Sequence, residues 1–312
     1  MSPPQRRSPV PPDLMDEILG EILLRIPPEE PAHLIRFALV CKPWLRVLSD
    51  PAFRRGYRER HRRPPLLGFV HNLYENGPIP RFVPTTASRC SSPVFNCQNW
   101  WALDSRHGRV LVNRFEPSDL VVWDPVSGDQ QHLPLPPYSH AYDTGAQRPI
   151  LVVFVGTDDE EAVTWASMYS SETRGWSAIA TADFSASTMV DLHSYIETKP
   201  SILIGNALYF SVELGKAILK YDLAGQGLSV IDAPEVSKQM RILMAVEDGG
   251  LGFAAIEGDD LHLWSWLTGN SSAGRTLCRV IQLQSLLPAR NKSFPSELIG
   301  FAESTDTIFL ET

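Results

Sequence analysis

The side chains able to do chemistry are scattered along this chain of 312 residues. His61, His71, His107, His132, His140, His193 and His262 fall near expected turns or strand ends. None has the H-E-x-x-H spacing that sets two imidazoles and a general base on one helical face. Cys41, Cys90, Cys97 and Cys278 include no C-x-x-C pair. A tetrahedral zinc at Cys90 and Cys97 would need two further ligands nearby, and no pairing supplies them. Free thiols with no metal or cofactor are therefore expected. The fragments "GDQQH" and "GKAILK" lack the spacing of a nucleophile elbow or a phosphate loop. A glycosidase would need two inward carboxylates about 5–9.5 Å apart. Asp104, Asp124, Asp222 and Glu257 are the positions to test for that chemistry, yet three of the four fall at repeat-equivalent turns or strand ends, where a structural role is expected.

The elements that would position these groups divide the chain in two. Residues 1–65 hold 12 basic and 8 acidic side chains, and the remainder 16 and 28, so a segment of net +4 precedes one of net -12. An acidic larger unit argues against nucleic-acid binding, which leaves a basic footprint. The basic run "RRGYRERHRR" (54–63) spreads its arginines around a helix and reads as a solvated face; "DDEE" (158–161) reads as a solvated hairpin loop. The longest apolar run, Ile150 to Val155, is too short to span a bilayer, and no secretory signal is evident at the start. With unpaired cysteines, this points to the cytoplasm or nucleus.

The predicted organisation is a disordered arm (1–12), a helical domain (13–59), a linker (60–66) and a β region (67–312). Asp13 is a candidate cap for a helix carrying Leu14, Ile18, Ile22 and Ile26 at spacing four. "PPEE" stops it, and Pro31 and Pro43 open two more helices, since proline's missing N–H costs nothing in a first turn. Asp50 and Pro51 start a fourth. From Leu66 onward, short apolar runs alternate with Gly, Pro, Asn and Asp, the pattern of an all-β architecture. "VVWDPVSGDQQHL", "SMYSSETRGWSAI" and "LKYDLAGQGLSVI" share one form: an aromatic residue ends a strand, a polar turn with Gly128, Gly175 or Gly225 follows, and a second strand leaves. The anchors Trp123, Tyr169, Tyr221 and Trp266 lie 46, 52 and 45 residues apart. A period of that length predicts about five propeller-like units of four strands, the last incomplete at "TIFLET". Either an N-terminal strand completes the ring or the chain is shortened there, the second being the favoured expectation. Trp100, Trp101, Tyr138, His140 and Tyr142 are assigned to loops, as recognition anchors or as packing between units.

"LIRFALVCKPWLRVLSDP" (34–51) is apolar on more than one side, more than a small helical domain can bury by itself. A contiguous apolar patch of a few hundred Å² marks an interaction site. The stretch "PPDLMDEILGEILLRIPPEEPAHLIRFALVCKPWLRVLSDPAF" resembles an F-box, in its Pro-Asp opening, "EILLRIPP", the Leu-Ile-Arg second helix, "VCKPW" and "SDPAF". Beyond it "RHRRPPLLGF", "LDSRHGRVLV", "LVVWDPVSGDQQHLPLPP" and "YSSETRGWS" resemble the plant F-box proteins with a propeller-like C-terminal region. The resemblance implies a non-catalytic receptor of a ubiquitin ligase. Its F-box would dock on a Skp-type adaptor, bridging to cullin and RING subunits, and its β region would bind an unidentified client protein. By position, the implied adaptor-facing residues are Pro12, Leu14, Ile22, Leu23, Ile26, Pro27, Leu34, Val40, Cys41 and Trp44. Trp44 is the anchor, or else the internal core of the helices. The alternatives are an enzyme on a propeller scaffold and an adaptor-binding competitor without a client.

Overall fold

The structure, a computed structural model, describes residues 16–28, 31–61, 66, 68–74, 78–85, 99–115, 118–125, 127–136, 150–158, 163–182, 196–197, 199–212, 215–232, 241–267, 274–286, 297–303 and 305–311. The chain forms two compact units, residues 1–69 with 82–92, and residues 70–81 with 93–312.

The first unit carries four short helices: α1 (Asp16–Leu23), α2 (Pro31–Ala38), α3 (Lys42–Ser49) and α4 (Pro51–Arg60). Prolines stand where the sequence predicted them. Pro51 opens α4, and the Asp50 carboxylate caps it by accepting from Ala52 N–H at 2.8 Å. Leu19 and Leu23, four apart on α1, meet Val47 of α3 in a buried cluster; Ile26, Phe37, Trp44, Leu48 and Phe53 pack around it. α4 is tied back to the end of α1 at two points. Tyr57 Oη donates to the Ile26 carbonyl at 2.8 Å, and a His61 ring nitrogen lies 2.8 Å from the Leu24 carbonyl. Gly20 faces α3 with room to spare: a Cβ there would stand 4.0 Å from Val47 Cγ1, an ordinary contact.

A two-stranded sheet, β1 (Gly68–Tyr74) with β2 (Pro78–Pro84), follows the helices. The second unit is built from antiparallel meanders. Sheet A is β3 (Trp100–Arg106), β4 (Arg109–Phe115), β5 (Ser118–Trp123) and β6 (Gln130–Leu133). Sheet B is β7 (Leu151–Asp158), β8 (Val163–Ser170) and a split partner of β8, β9 (Gly175–Trp176) with β10 (Ala180–Ala182). Sheet C is β11 (Ile202–Ile204), β12 (Ala207–Val212), β13 (Ala217–Asp222) and β14 (Gly227–Asp232). Sheet D is β15 (Arg241–Ala245), β16 (Leu251–Glu257), β17 (Asp260–Leu267) and β18 (Gly274–Gln282). Sheet E, the last described, has two strands, β19 (Glu297–Ala302) and β20 (Thr307–Glu311).

The sheets stack face to face in chain order, as in a propeller. Leu120, Val122 and Leu133 of A bury against Val152 and Tyr169 of B. Ala166 and Met168 of B bury against Tyr221 of C. Ala207, Tyr209 and Ile218 of C meet Leu251 and Trp266 of D, and Ile242, Met244 and Ala254 of D meet Leu298 of E. Of the four aromatic anchors, Tyr169, Tyr221 and Trp266 are buried in these seams, and Trp123 is buried with Trp100, Val110, Val112 and Val121 of sheet A. Each sheet exposes an apolar face that only its neighbour covers, which is why such units are stable only as an array.

Three details depart from the sequence reading. Trp100 and Trp101 do not lie in a loop: they open β3, and Trp100 is buried with Val110, Val112, Val121 and Trp123. β2 was not anticipated, because "PIPRFVP" is rich in a residue that cannot donate to a ladder. In the repeated turns the left-handed residue is Gly128 (φ 80°), as glycine should be, but elsewhere it is Arg174 (φ 53°) and Gln226 (φ 51°), beside the glycines and not on them. On β3, the Asn72 side-chain amide from β1 behaves as a strand partner: Nδ2 donates to the Ala102 carbonyl at 2.8 Å and Oδ1 accepts from Ala102 N–H at 2.9 Å.

Candidate functional site

The helical unit leaves a large apolar surface uncovered. Ten large hydrophobic side chains stand exposed among the described residues, and five of them, Ile18, Ile22, Leu39, Val40 and Leu45, come from this small unit. Ile18 and Ile22 are one helical turn apart on α1, on a face turned about 100° from the buried Leu19 and Leu23. Leu39 (81% exposed) and Val40 (62%) occupy the joint between α2 and α3, where Leu39 N–H and Val40 N–H close on the Arg36 and Phe37 carbonyls at 3.1 Å. Arg46 of α3 also bonds Asp16 of α1 at 2.6 Å, an exposed ion pair that adds little to the buried contact of those two helices.

The residues implied as adaptor-facing are spread over both sides of this unit. Ile22, Pro27, Val40 and Cys41 are exposed; Ile26, Leu34 and Trp44 are half-buried; Leu23 is sealed in the helical core. Trp44 stacks on Phe37, ring centroids 5.2 Å apart and tilted 50°. Pro12 and Leu14 lie outside the described residues. Sequence reasoning passed over Ile18, Leu39 and Leu45. For Ile18 the spacing to Ile22 was a usable signal, but exposure of Leu39 depends on where α2 stops, at Ala38.

In the β unit Trp101 is half-buried, and Tyr138, His140 and Tyr142 lie outside the described residues. Cys90 and Cys97 also lie outside them; Cys41 and Cys278 are exposed free thiols. Of the four carboxylates singled out, Asp124 and Asp222 cap turns, accepting from Ser127 N–H at 3.1 Å and Ala224 N–H at 3.1 Å. Glu257 faces His262 at 3.4 Å. Asp104 accepts from Ser105 N–H at 2.7 Å, from Arg106 Nε at 3.2 Å and from the Ser201 hydroxyl at 2.9 Å. These are structural ties in which the carboxylate oxygens already have partners. Burial acts to lower the Arg106 pKa, but the charges of Asp104 and Glu303 outweigh it and hold the guanidinium above its ordinary range. A second polar set crosses sheet A: Arg114 donates both Nε and Nη2 to Asp119 at 2.7 Å, and His132 Nδ1 lies 2.6 Å from the same carboxylate. Neither set includes a poised nucleophile. Among the described residues no group of three or more His, Cys, Asp or Glu could hold a metal ion, and no helix is long and apolar enough to cross a membrane.

Comparison with known proteins matches both units. Residues 12–56 match the F-box domain, and residues 101–296 match the family described as F-box protein AT5G49610-like, beta-propeller. A curated relative, F-box protein At5g03970 of Arabidopsis thaliana, is 29% identical over 137 residues, 39% of this chain and 32% of the relative. The matched part of the chain thus spans about a third of that relative's length. A solved structure of a putative 6-phosphogluconolactonase from Bacteroides fragilis is 14% identical over 55% of this chain and 48% of its own, with a TM-score of 0.29, too low to carry an argument. The helices at 16–60, the uncovered apolar side chains upon them and the stacked meanders that follow all accord with the family match: the chain is an F-box protein and belongs to the AT5G49610-like beta-propeller family.

Proposed function

We propose that this chain is the substrate receptor of a cullin-based ubiquitin ligase, acting in the cytoplasm or nucleus. Its helical unit docks on a Skp-type adaptor and its β unit holds a client protein. The observation that carries the reading is the exposed set Ile18, Ile22, Leu39, Val40 and Leu45, inside the segment that matches the F-box. Each side chain left in water forfeits part of the ~1.5–3 kcal/mol that full burial of an aliphatic group provides. A partner surface would recover it.

The receptor performs no bond chemistry of its own. It raises the effective concentration of client lysines near a charged conjugating enzyme by holding both on one assembly. Trp101, Tyr138, His140 and Tyr142 are proposed client contacts; Trp100 serves the core of sheet A.

The test is co-expression of the full chain with a Skp-type adaptor and the adaptor-binding part of a cullin. The double variant Ile22→Glu, Val40→Glu should lose the adaptor while its circular dichroism stays that of the parent, since both side chains are exposed. Retention of the adaptor by a folded double variant would refute the reading. A protein that accumulates when the chain is removed, and that binds the β unit, identifies the client.

A further inference from the structure

The "DSRHG" segment is not absorbed by the docking function, and its surroundings give it another role. His107 (φ 53°) and Gly108 (φ 75°) are both left-handed, the two-residue turn that suits a tight hairpin between β3 and β4. That turn leaves Arg106 at the end of β3, with its guanidinium largely buried. Arg106 Nη1 donates to both oxygens of Glu303, at 2.7 and 2.6 Å, in the turn between β19 and β20. Its Nη2 donates to the Ser201 carbonyl and lies 3.1 Å from Ser201 Oγ, just before β11. Its Nε reaches Asp104. The acceptors are joined in turn, because Glu303 Oε1 accepts from Leu203 N–H at 2.7 Å and Asp104 Oδ2 accepts from the Ser201 hydroxyl.

We infer that Arg106 is a clasp that closes the β array by fastening its first sheet to its third and its last. The apolar seams run between neighbours in chain order, A on B, B on C, C on D and D on E. Arg106 instead spans 95 residues of sequence to sheet C and 197 to sheet E. Sheet E gains most from such a tie: among the described residues it has two strands, against four in each of sheets A to D, and its apolar contacts run to D alone. The geometry suits arginine. Its Nε, Nη1 and Nη2 are spread over a planar fork and reach separate acceptors, two carboxylates and a carbonyl; a lysine ammonium carries its three donors on one nitrogen and would serve part of the set.

The test is amide hydrogen exchange on the full chain. Arg106→Lys should speed exchange in 297–302 and 307–311, and at Leu203, by about tenfold or more, because loss of a local tie opens one cooperative segment before the rest. Exchange in 163–170 and 251–257 should stay within about twofold of the parent. Glu303→Gln keeps an acceptor for Leu203 N–H and loses the charge, so it should give a smaller rise confined to the same segments. Arg114→Lys, which loosens a pair within sheet A, should leave the last hairpin unchanged. Unchanged exchange in 297–311 for Arg106→Lys overturns the proposal, as does a rise of equal size throughout the β unit. If Arg106→Lys proves insoluble, Glu303→Gln decides: a local rise supports the clasp, and no rise or a uniform one overturns it.

Discussion

Leu39 offers the most direct quantitative test of the adaptor-binding proposal. Its side chain is 81% exposed at the joint of α2 and α3, so truncation should cost the free protein almost nothing. Full burial of a leucine is worth ~1.5–3 kcal/mol. If a partner covers the exposed four-fifths, Leu39→Ala, which keeps the Cβ, should lose about 1–2 kcal/mol of binding, or about five- to thirtyfold in Kd. Trp44→Ala provides the contrast. Trp44 packs half-buried on Phe37 against the cluster of Leu19, Leu23 and Val47, so its truncation should cost about 1.5–3 kcal/mol of fold stability before any partner arrives, less than a fully buried aromatic. The assay is calorimetric or optical titration of each purified variant with a Skp-type adaptor, with far-ultraviolet circular dichroism to follow the helices. Leu39→Ala should weaken binding with an unchanged melting curve, and Trp44→Ala should lower the melting curve. An unchanged Kd for a folded Leu39→Ala would show that this joint is not covered, and the burial argument would fail.

Gly20→Ala places a methyl group 4.0 Å from Val47 Cγ1, an ordinary contact in a helix interior, so α1 should gain about 0.8–1 kcal/mol, read as slower amide exchange in 16–23. Gly252→Ala should do the reverse: a Cβ there would overlap the Trp264 carbonyl oxygen and Val246, and a loss above about 2 kcal/mol should appear as a lower melting temperature. Gln226→Gly relieves a left-handed residue in an exposed turn and should stabilise sheet C by about 0.5–1 kcal/mol in a denaturant titration. Burial raises the pKa of the Tyr221 phenol, against a smaller opposing effect of Ser177, whose hydroxyl already accepts from Met168 N–H. Above pH ~10 the unfolded chain therefore releases that proton while the folded one keeps it, and stability falls as pH rises. Tyr221→Phe should flatten that alkaline loss, and equal slopes for parent and variant would contradict the assignment.

Much of this architecture was legible in the sequence because its signals are local. Pro31, Pro43, Asp50 and Pro51 mark helix starts through backbone chemistry that acts within a turn. Trp123, Tyr169, Tyr221 and Trp266 mark the repeat because each sheet solves the same burial problem with a large side chain near a strand end. The Trp100–Trp101 pair was misread because its aromatic character suits a recognition loop as well as a buried strand, and only the ladder to β4 separates the two. The candidate site was less legible. Leu23 and Ile22 are adjacent and equally apolar, yet one is sealed and the other exposed, a difference fixed by where α3 crosses α1. The Arg106 network was invisible for a related reason: its partners are brought together only when the array closes, and nothing near Arg106 in the sequence announces Ser201 or Glu303.

The pairing of Asn72 with Ala102 makes the margin of β3 depend on one side-chain amide. Asparagine slowly loses ammonia in water, and the aspartate that results has two acceptors and no donor. At this position the new oxygen would face the Ala102 carbonyl, where Nδ2 now donates at 2.8 Å, so attraction would turn to repulsion. Ageing at this one amide would uncover the margin of β3, and a bare sheet margin invites other chains to add themselves. An Asn72→Asp chain, which mimics the loss of that amide, should therefore aggregate more readily than the parent.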